Sequence, residues 1–212
     1  MTEFLLWRMM SPRGYISASQ IRTFKKSKED YLRRYVYGED IIPHFVMKYV
    51  DFGKDIHTQI ENEELEPLFW DIDTTFTDRE KELTPTLGEI PLKGYIDALN
   101  TDERIVADYK TSKNPKTQSW ADKNEQLTFY AVMCDLEYGW IPELIIYWIE
   151  TTEENGYLEL SGKVKEIKTT RTKKQVEDYK KEIKTIWEEI GKLVDAELEA
   201  DEYLGGLKNY EQ

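Results

Sequence analysis

The stretch that decides the fold is GYIDALNTDERIVADYKTS, residues 94–112. Apolar, β-prone runs lie on both sides of a polar turn around Thr101, so the stretch predicts two strands that fold back antiparallel. Side chains two positions apart on a strand share a face, so Asp108 and Lys110 are expected to point the same way. The return of the chain also brings Asp97 close to Asp108. Neighbouring carboxylates repel each other, and a hard divalent cation with oxygen ligands relieves that repulsion.

A lysine beside such a pair can hold a phosphate or position a water. An Asp-x-Lys sequence alone is more often a solvated ion pair. Two flanking segments, both predicted to be helical, strengthen the functional interpretation. Upstream, His57 and Glu61 lie one turn apart. Downstream, Gln126 and Tyr130 are four apart and share a face. Together these residues indicate metal-assisted hydrolysis of phosphodiesters.

The set resembles the RecB-like nucleases of the PD-(D/E)XK superfamily, close to the adaptation exonucleases of CRISPR systems and to phage exonucleases. The likeness runs from about Ser17 to about Ile149 and rests on the motifs GKDIH, GYID, IVADYKTSK and QLTFY. It implies the restriction-endonuclease-like α/β fold, a mixed sheet flanked by helices. It implies these metal ligands: His57, Asp97, Asp108 and the backbone carbonyl of Tyr109. It implies these catalytic residues: Lys110, Asp97, Asp108, Gln126 and Tyr130.

The cysteine content separates this chain from many of those relatives, which hold an iron–sulfur cluster. Ser27 stands near the first expected cysteine position, and Cys134 is the only cysteine in the chain. A cluster needs about four thiolate ligands, so no iron–sulfur cluster is expected and the resemblance is to phage-type members. Cys134 lies on the apolar side of its predicted helix and is expected to fill the core.

Composition predicts a single domain over residues 1–212, with no run of about eighteen apolar residues and no signal-peptide pattern. A cytoplasmic protein is expected, in the host cytoplasm if a phage encodes it, with no membrane partner. No phosphate-binding loop motif is present, so a helicase or recombination protein that acts with this chain would be a separate partner. The pattern leaves the oligomeric state, the cleavage polarity and the strand preference open.

The net charge of −13 repels a phosphate backbone, so contact with DNA is expected to be local. Two basic clusters flank the motif region, although such clusters are commonly only a solvated face. Trp120 could stack on an unpaired base or anchor the core. The DNA-binding candidates are Lys25, Lys26, Lys28, Lys113, Trp120, Arg171 and Lys173.

Hydrophobic periodicity predicts the order of the elements. Helices are expected at about 19–37, with Ser19 as the N-cap, at 45–64, at 120–138 and, as a long amphipathic C-terminal helix, at 172–199. Strands are expected at about 71–83, 89–99, 104–111, 143–151 and 157–167. The run from Glu143 to Thr151 is apolar on both faces, which is typical of a buried central strand.

Together with these patterns, the resemblance implies a deoxyribonuclease that acts as an exonuclease at DNA ends, single-stranded ends included, with Mg²⁺ or Mn²⁺. An imidazole ligand beside carboxylates suits Mn²⁺ better than Mg²⁺. One alternative is a non-catalytic, acidic interaction protein of the same fold that binds a recombination or defence protein. Another is a structure-specific or restriction-type endonuclease.

Overall fold

The structure is a computed structural model that describes residues 12–65 and 76–208, with side chains described as far as residue 200. The helices are α1 (Ala18–Lys26), α2 (Lys28–Tyr31), a π-helix (Leu32–Val36), α3 (His44–Glu61), α4 (Gln118–Asp122), α5 (Glu125–Tyr138) and α6 (Lys173–Lys208). The strands are β1 (Asp78–Leu83), β2 (Thr86–Leu87), β3 (Ile90–Pro91), β4 (Gly94–Asn100), β5 (Ile105–Ser112), β6 (Glu143–Glu154) and β7 (Tyr157–Thr169).

Within the described residues, five strands form one mixed sheet in the order β1-β4-β5-β6-β7. β4 runs antiparallel to β1 and to β5, whereas β5 and β6 are parallel and are joined through α4 and α5. A parallel pair needs such a helical crossover, because a tight turn cannot return the chain to the same end of the sheet. The arrangement confirms the predicted mixed sheet flanked by helices and is consistent with the restriction-endonuclease-like fold.

The chain divides into two units. One comprises the described parts of Met1–Ile41, Pro85–Lys93 and Asp178–Gln212. The other comprises the described parts of Ile42–Thr84 and Gly94–Glu177, which include the five-stranded sheet. The expectation of a single domain stays a prediction.

In the first unit, the helix predicted over residues 19–37 is interrupted, which corrects that expectation. Ser27 has an extended backbone with φ of −160°, and its side chain accepts a hydrogen bond from the Asp30 amide. It therefore ends α1 and caps α2, because a serine hydroxyl satisfies an amide that the first turn of a helix leaves unpaired. Ser17, and not the predicted Ser19, caps α1 through the amide of Gln20.

In the second unit, α3 packs on one face of the sheet through Ile56 and Ile60. Their neighbours on the sheet include Ala98, Tyr109 and Tyr147, and the Tyr109 and Tyr147 rings stack 5.7 Å apart. β6 is buried without a break over residues 144–149, as its apolar run predicts. The strand predicted from residue 71 starts at Asp78 in the structure, and residues 71–75 lie outside the described part of the chain.

The helical segment predicted from Trp120 is two helices. Asn124 separates them, because its side chain accepts from the amide of Leu127 and caps α5. Gly139, with φ of 76°, ends α5 in the left-handed conformation that glycine adopts without strain. Cys134 is buried in α5, where the sequence predicted it. Among the described residues, no helix is both long enough and apolar enough to cross a membrane.

Candidate active site

The sheet opens at Asp97. The β4–β5 ladder pairs residues 98–100 with residues 105–107 and stops before Asp97 would meet Asp108. On its other side, the β1–β4 ladder pairs Arg79 with Ala98 and resumes with Lys81, so it also passes over Asp97. Asp97 is buried, and its Oδ2 accepts a 2.8 Å hydrogen bond from the amide of Tyr109. The carboxylate thus replaces a ladder bond where the strands separate.

α3 places His57 at this opening. The Nε2 atom lies 3.0 Å from the carbonyl oxygen of Tyr109, so it carries the proton and donates it. The Nδ1 atom lies 3.6 Å from Asp97 Oδ2 and 3.7 Å from Glu80 Oε1. A hydrogen bond on one ring nitrogen orients the other toward a metal, so Nδ1 is the nitrogen available to a cation. His57, Glu80 and Asp97 offer ligand atoms that all lie within 4.8 Å of one another.

Asp108 and Lys110 form an ion pair beside this group. The ammonium lies 2.9 Å from Oδ1 and 2.8 Å from Oδ2 of Asp108, whose side chain is 1% exposed. The contact with Oδ1 has hydrogen-bond geometry, whereas Oδ2 has no hydrogen-bond partner despite its distance from the ammonium. Asp108 Oδ2 therefore makes an ion-pair contact without a hydrogen bond, which leaves it able to ligate a metal ion as well.

Gln126 and Tyr130 link α5 to the strand that carries Asp97. Gln126 Nε2 donates to the hydroxyl of Tyr130 at 2.7 Å, and that hydroxyl donates to the carbonyl oxygen of Tyr95 at 2.7 Å. Burial raises the pKa of Tyr130 well above its usual value, and the charges of Asp97 and Asp108 raise it further. The phenol therefore stays protonated, and its proton holds β4 two residues from Asp97.

The charges of the site shift its protonation. Burial raises the pKa of Asp97 to about 7, and the charge of Asp108 adds to that effect. Burial lowers the pKa of His57, but Glu80 and Asp97 outweigh it, so the pKa of His57 is raised. At 3.7 Å, Glu80 Oε1 is too far for a normal hydrogen bond, so its effect is the attraction between carboxylate and imidazolium. Without a cation the group therefore holds protons near neutral pH, and a metal ion would displace them.

A cleft of about 570 Å³ reaches this group from solvent. It is lined by Gly53, Lys54, His57, Thr58, Glu61, Glu80 and Tyr95. His57 and Glu80 of the metal-capable group therefore face a space into which a substrate can enter. Glu61, which the sequence places one turn from His57, lies on the same wall.

The predicted DNA-binding residues fall into different environments. Lys25 is paired with Glu182 at 2.8 Å and Lys28 lies 3.7 Å from Glu189. Trp120 is half-buried, with the ammonium of Lys116 5.1 Å from its ring centroid. The exposed residues of the set include Lys26, Lys113 and Lys173.

Arg171 is a correction to the expected DNA-binding set. It is 5% exposed, and its guanidinium donates hydrogen bonds to the hydroxyls of Thr128 and Thr169. It also donates to the carbonyl oxygens of Thr170, Ala121 and Asn124. These bonds occupy the guanidinium inside the protein, so Arg171 joins α4, α5 and the end of β7 and does not face DNA.

Sequence reasoning missed Glu80. It lies in the segment TDREKELTP, which is charged and lacks the apolar alternation that marks a half-buried strand. Only the β1–β4 register, in which Arg79 and Lys81 flank the level of Asp97, places Glu80 at the opening. The signal is therefore a property of strand pairing and is not visible in a local motif.

Comparisons with known proteins agree with this geometry. A family model for the PD-(D/E)XK nuclease superfamily matches residues 43–203. A comparison with curated proteins finds no match. Among solved structures, a candidate exonuclease from Eubacterium rectale is similar, with 13% identity, 86% of this chain and 82% of that chain covered, and a TM-score of 0.49. The protein SSO0001 is similar at 16% identity, with 92% and 85% covered and a TM-score of 0.39.

At these identities and TM-scores, the similarity to the two solved structures carries no argument about the activity of the chain. The family match does bear on its identity, since it spans the three strands at the opening, the helix that carries His57 and the helix that carries Gln126. The chain belongs to the PD-(D/E)XK nuclease superfamily.

Proposed function

We propose that the chain is a Mg²⁺- or Mn²⁺-dependent deoxyribonuclease that acts as an exonuclease at DNA ends. The observation that carries the proposal is the opening of the sheet, where His57 and Asp97 lie beside the Asp108–Lys110 ion pair. Superfamily membership supports phosphodiester hydrolysis as the chemistry. The RecB-like, phage-type assignment, the cytoplasmic location and any helicase or recombination partner belong to the same proposal and rest on the sequence motifs.

The donor set fits a divalent cation. Asp108 Oδ2 is buried without a hydrogen bond, and Nδ1 of His57 faces carboxylates at 3.6 and 3.7 Å. The proposed ligands are His57, Asp97, Asp108 and the Tyr109 carbonyl, whose oxygen also accepts from His57 and has a second lone pair. When bound, such a cation lowers the pKa of a water and neutralises charge that develops on phosphate.

The protein's own residues supply the rest of the proposed mechanism. Lys110 pairs with Asp108 and places an ammonium where the phosphate gains negative charge. Gln126 and Tyr130 keep β4 in position through the carbonyl of Tyr95, so their roles are positional. Because the chain carries a net charge of −13, it is poorly suited to hold long internal duplex, which favours action at ends.

The test compares linear with covalently closed DNA, both single- and double-stranded, in Mg²⁺, in Mn²⁺ and in chelator. Linear DNA should be degraded in either metal, while closed circles and all chelated samples should survive. Lys110→Met serves as the inactive control. Cutting of closed circles would replace the exonuclease with an endonuclease. Metal binding without any cutting would favour the acidic interaction protein, a rival that the net charge supports.

A further inference from the structure

Glu80 has a backbone conformation that strand residues rarely adopt. Its φ is 45°, although it lies within β1. Positive φ is uncommon for residues other than glycine, asparagine and aspartate, because the Cβ atom crowds the backbone. Outliers of this kind persist where the surrounding structure holds them, and they concentrate at functional sites. The outlier therefore calls for a physical reason.

The left-handed conformation of Glu80 occurs at a specific place in the sheet. Arg79 pairs with Ala98 and Lys81 pairs with Ile96, and the ladder omits the level of Glu80 and Asp97. The ladder on the other side of β4 also ends before Asp97. The left-handed residue thus lies where the sheet is open on both sides of β4. The distortion is local, since regular pairing resumes one residue away.

The side chain of Glu80 ends at the metal-capable group. Its Oε1 lies 3.7 Å from Nδ1 of His57, and it belongs with His57 and Asp97 to the set whose ligand atoms lie within 4.8 Å of one another. The side chain is 33% exposed, and it lines the 570 Å³ cleft. It can therefore be reached by an ion from solvent.

We propose that Glu80 is a further metal ligand, and that its left-handed backbone is retained because it brings this carboxylate to the ion shared with His57 and Asp97. The inference rests on the proposed function, in that the ion is the one that nuclease activity requires. It adds to the motif-derived ligands a residue that no motif contains. The rival explanation is a structural ion pair between Glu80 and a protonated His57.

Metal affinity separates these explanations. Mn²⁺ binding is measured by calorimetry above the pKa of Asp97, for wild type, Glu80→Gln and the matched control Glu82→Gln on the same strand. Glu80→Gln should weaken Mn²⁺ affinity by about tenfold to a hundredfold or more, the range that even outer partners of a metal site reach. Glu82→Gln should bind as wild type. Equal affinity of the two variants would overturn the inference.

The melting temperatures of Glu80→Gly and Glu80→Ala in chelator test whether the backbone is strained at this position. Glycine adopts φ of 45° without strain, so Glu80→Gly should melt higher than Glu80→Ala. At position 82 the order should reverse, since glycine weakens an ordinary strand relative to alanine. At the same Mn²⁺ concentration, both variants at position 80 should also show a smaller rise in melting temperature than wild type. If Glu80→Ala melts higher than Glu80→Gly, the strain does not exist and the inference fails.

Hydrolysis of linear DNA, followed in parallel, keeps the two proposals apart. If wild type cleaves with Mn²⁺ while Glu80→Gln binds Mn²⁺ as tightly as wild type, the function stands and the inference falls. If wild type binds Mn²⁺ through Glu80 but cleaves nothing, the metal site stands and the proposed function falls.

Discussion

Lys110 is the cation on which the buried carboxylate of Asp108 depends. Lys110→Met should abolish turnover and leave Mn²⁺ binding close to wild type, because the ammonium is not a ligand. In chelator it should lower the free energy of unfolding by about 3 kcal/mol, the lower end for a broken buried pair, since the lysine is 27% exposed. Urea unfolding, calorimetry and single-turnover hydrolysis check these outcomes. The control is exposed Lys113→Met, and a Lys110→Met enzyme with wild-type turnover would remove the lysine from the mechanism.

Asp97 and His57 should make the metal-free protein less stable as the pH rises. The pKa of Asp97 is raised to about 7 by burial and by Asp108, and that of His57 is also raised. A raised pKa gives stability that is complete below the unfolded pKa, about 3.9 for Asp, and is lost as the pH rises through the folded pKa. Melting temperatures in chelator should therefore fall between about pH 4 and about pH 7 as Asp97 ionises, and further above about pH 6.5 as His57 loses its proton.

Asp97→Asn should flatten that decline and melt higher than wild type above pH 7, because it removes a charge that is buried beside Asp108. It should gain little from Mn²⁺. Asp102→Asn, in the turn after β4, should follow wild type. A decline of wild-type size in Asp97→Asn would show that another group controls the pH dependence.

At the site, the sequence predicted those residues whose chemistry is local. Asp108 and Lys110 are two apart on a strand, and the structure brings them together as an ion pair. Glu80 and Arg171 depend on pairing and packing over long distances in the chain. A motif shows that Arg171 is basic, but only the fold shows that its charge is buried among carbonyl and hydroxyl oxygens.

At the scale of elements, Arg171 holds α4 and α5 to the end of β7. Arg171→Met should lower the free energy of unfolding by about 3 kcal/mol, because it removes the charge-assisted hydrogen bonds that the buried guanidinium donates to oxygens of Thr128, Thr169, Ala121 and Asn124. Exposed Lys173→Met should change it by no more than about 0.5 kcal/mol. Equilibrium unfolding in urea measures both. Equal midpoints would mean that the hydrogen bonds of Arg171 contribute nothing net to stability.

Strong periodicity predicted the elements, and side-chain capping set their limits. The apolar run of β6 and the apolar stripe of α3 could be recognised in the sequence, because buried positions recur with the period of a strand or a helix and carry apolar residues. The break at Ser27 could not be recognised in the sequence, since the apolar positions on either side of it keep helical spacing. Serine is tolerated within a helix and is also a strong cap, and tertiary packing decides between the two.

At the scale of the whole molecule, part of the positive charge is paired with carboxylates. Partners within 4.0 Å are present for the following basic residues: Lys25, Lys28, Arg33, Lys163 and Lys168. With a net charge of −13 as well, the chain should make few phosphate contacts. DNA binding, followed by anisotropy in Ca²⁺, should therefore show a shallow salt dependence.

The slope of log K against log salt should lie near −2, since each contact contributes about −0.9. Lys113→Gln should reduce its magnitude by about one contact. Lys168→Gln, whose ammonium lies within 3.6 Å of both Glu143 and Glu166, should not. A steep slope that only Lys168→Gln reduces would place DNA on the basic segment around Lys168.

The gap in strand pairing around Asp97 also has a consequence for how the sheet fluctuates. The ladder of β5 with β6 is continuous, and that of β6 with β7 is long with one register shift between Ile149 and Thr151, so we expect both to come apart only with the sheet as a whole. The level of Glu80 and Asp97 lies outside the β1–β4 and β4–β5 ladders, so it can rearrange while those long ladders stay intact. On the proposed function, we therefore expect an ion or product to exchange through a local fluctuation at this level, without unfolding of the whole molecule.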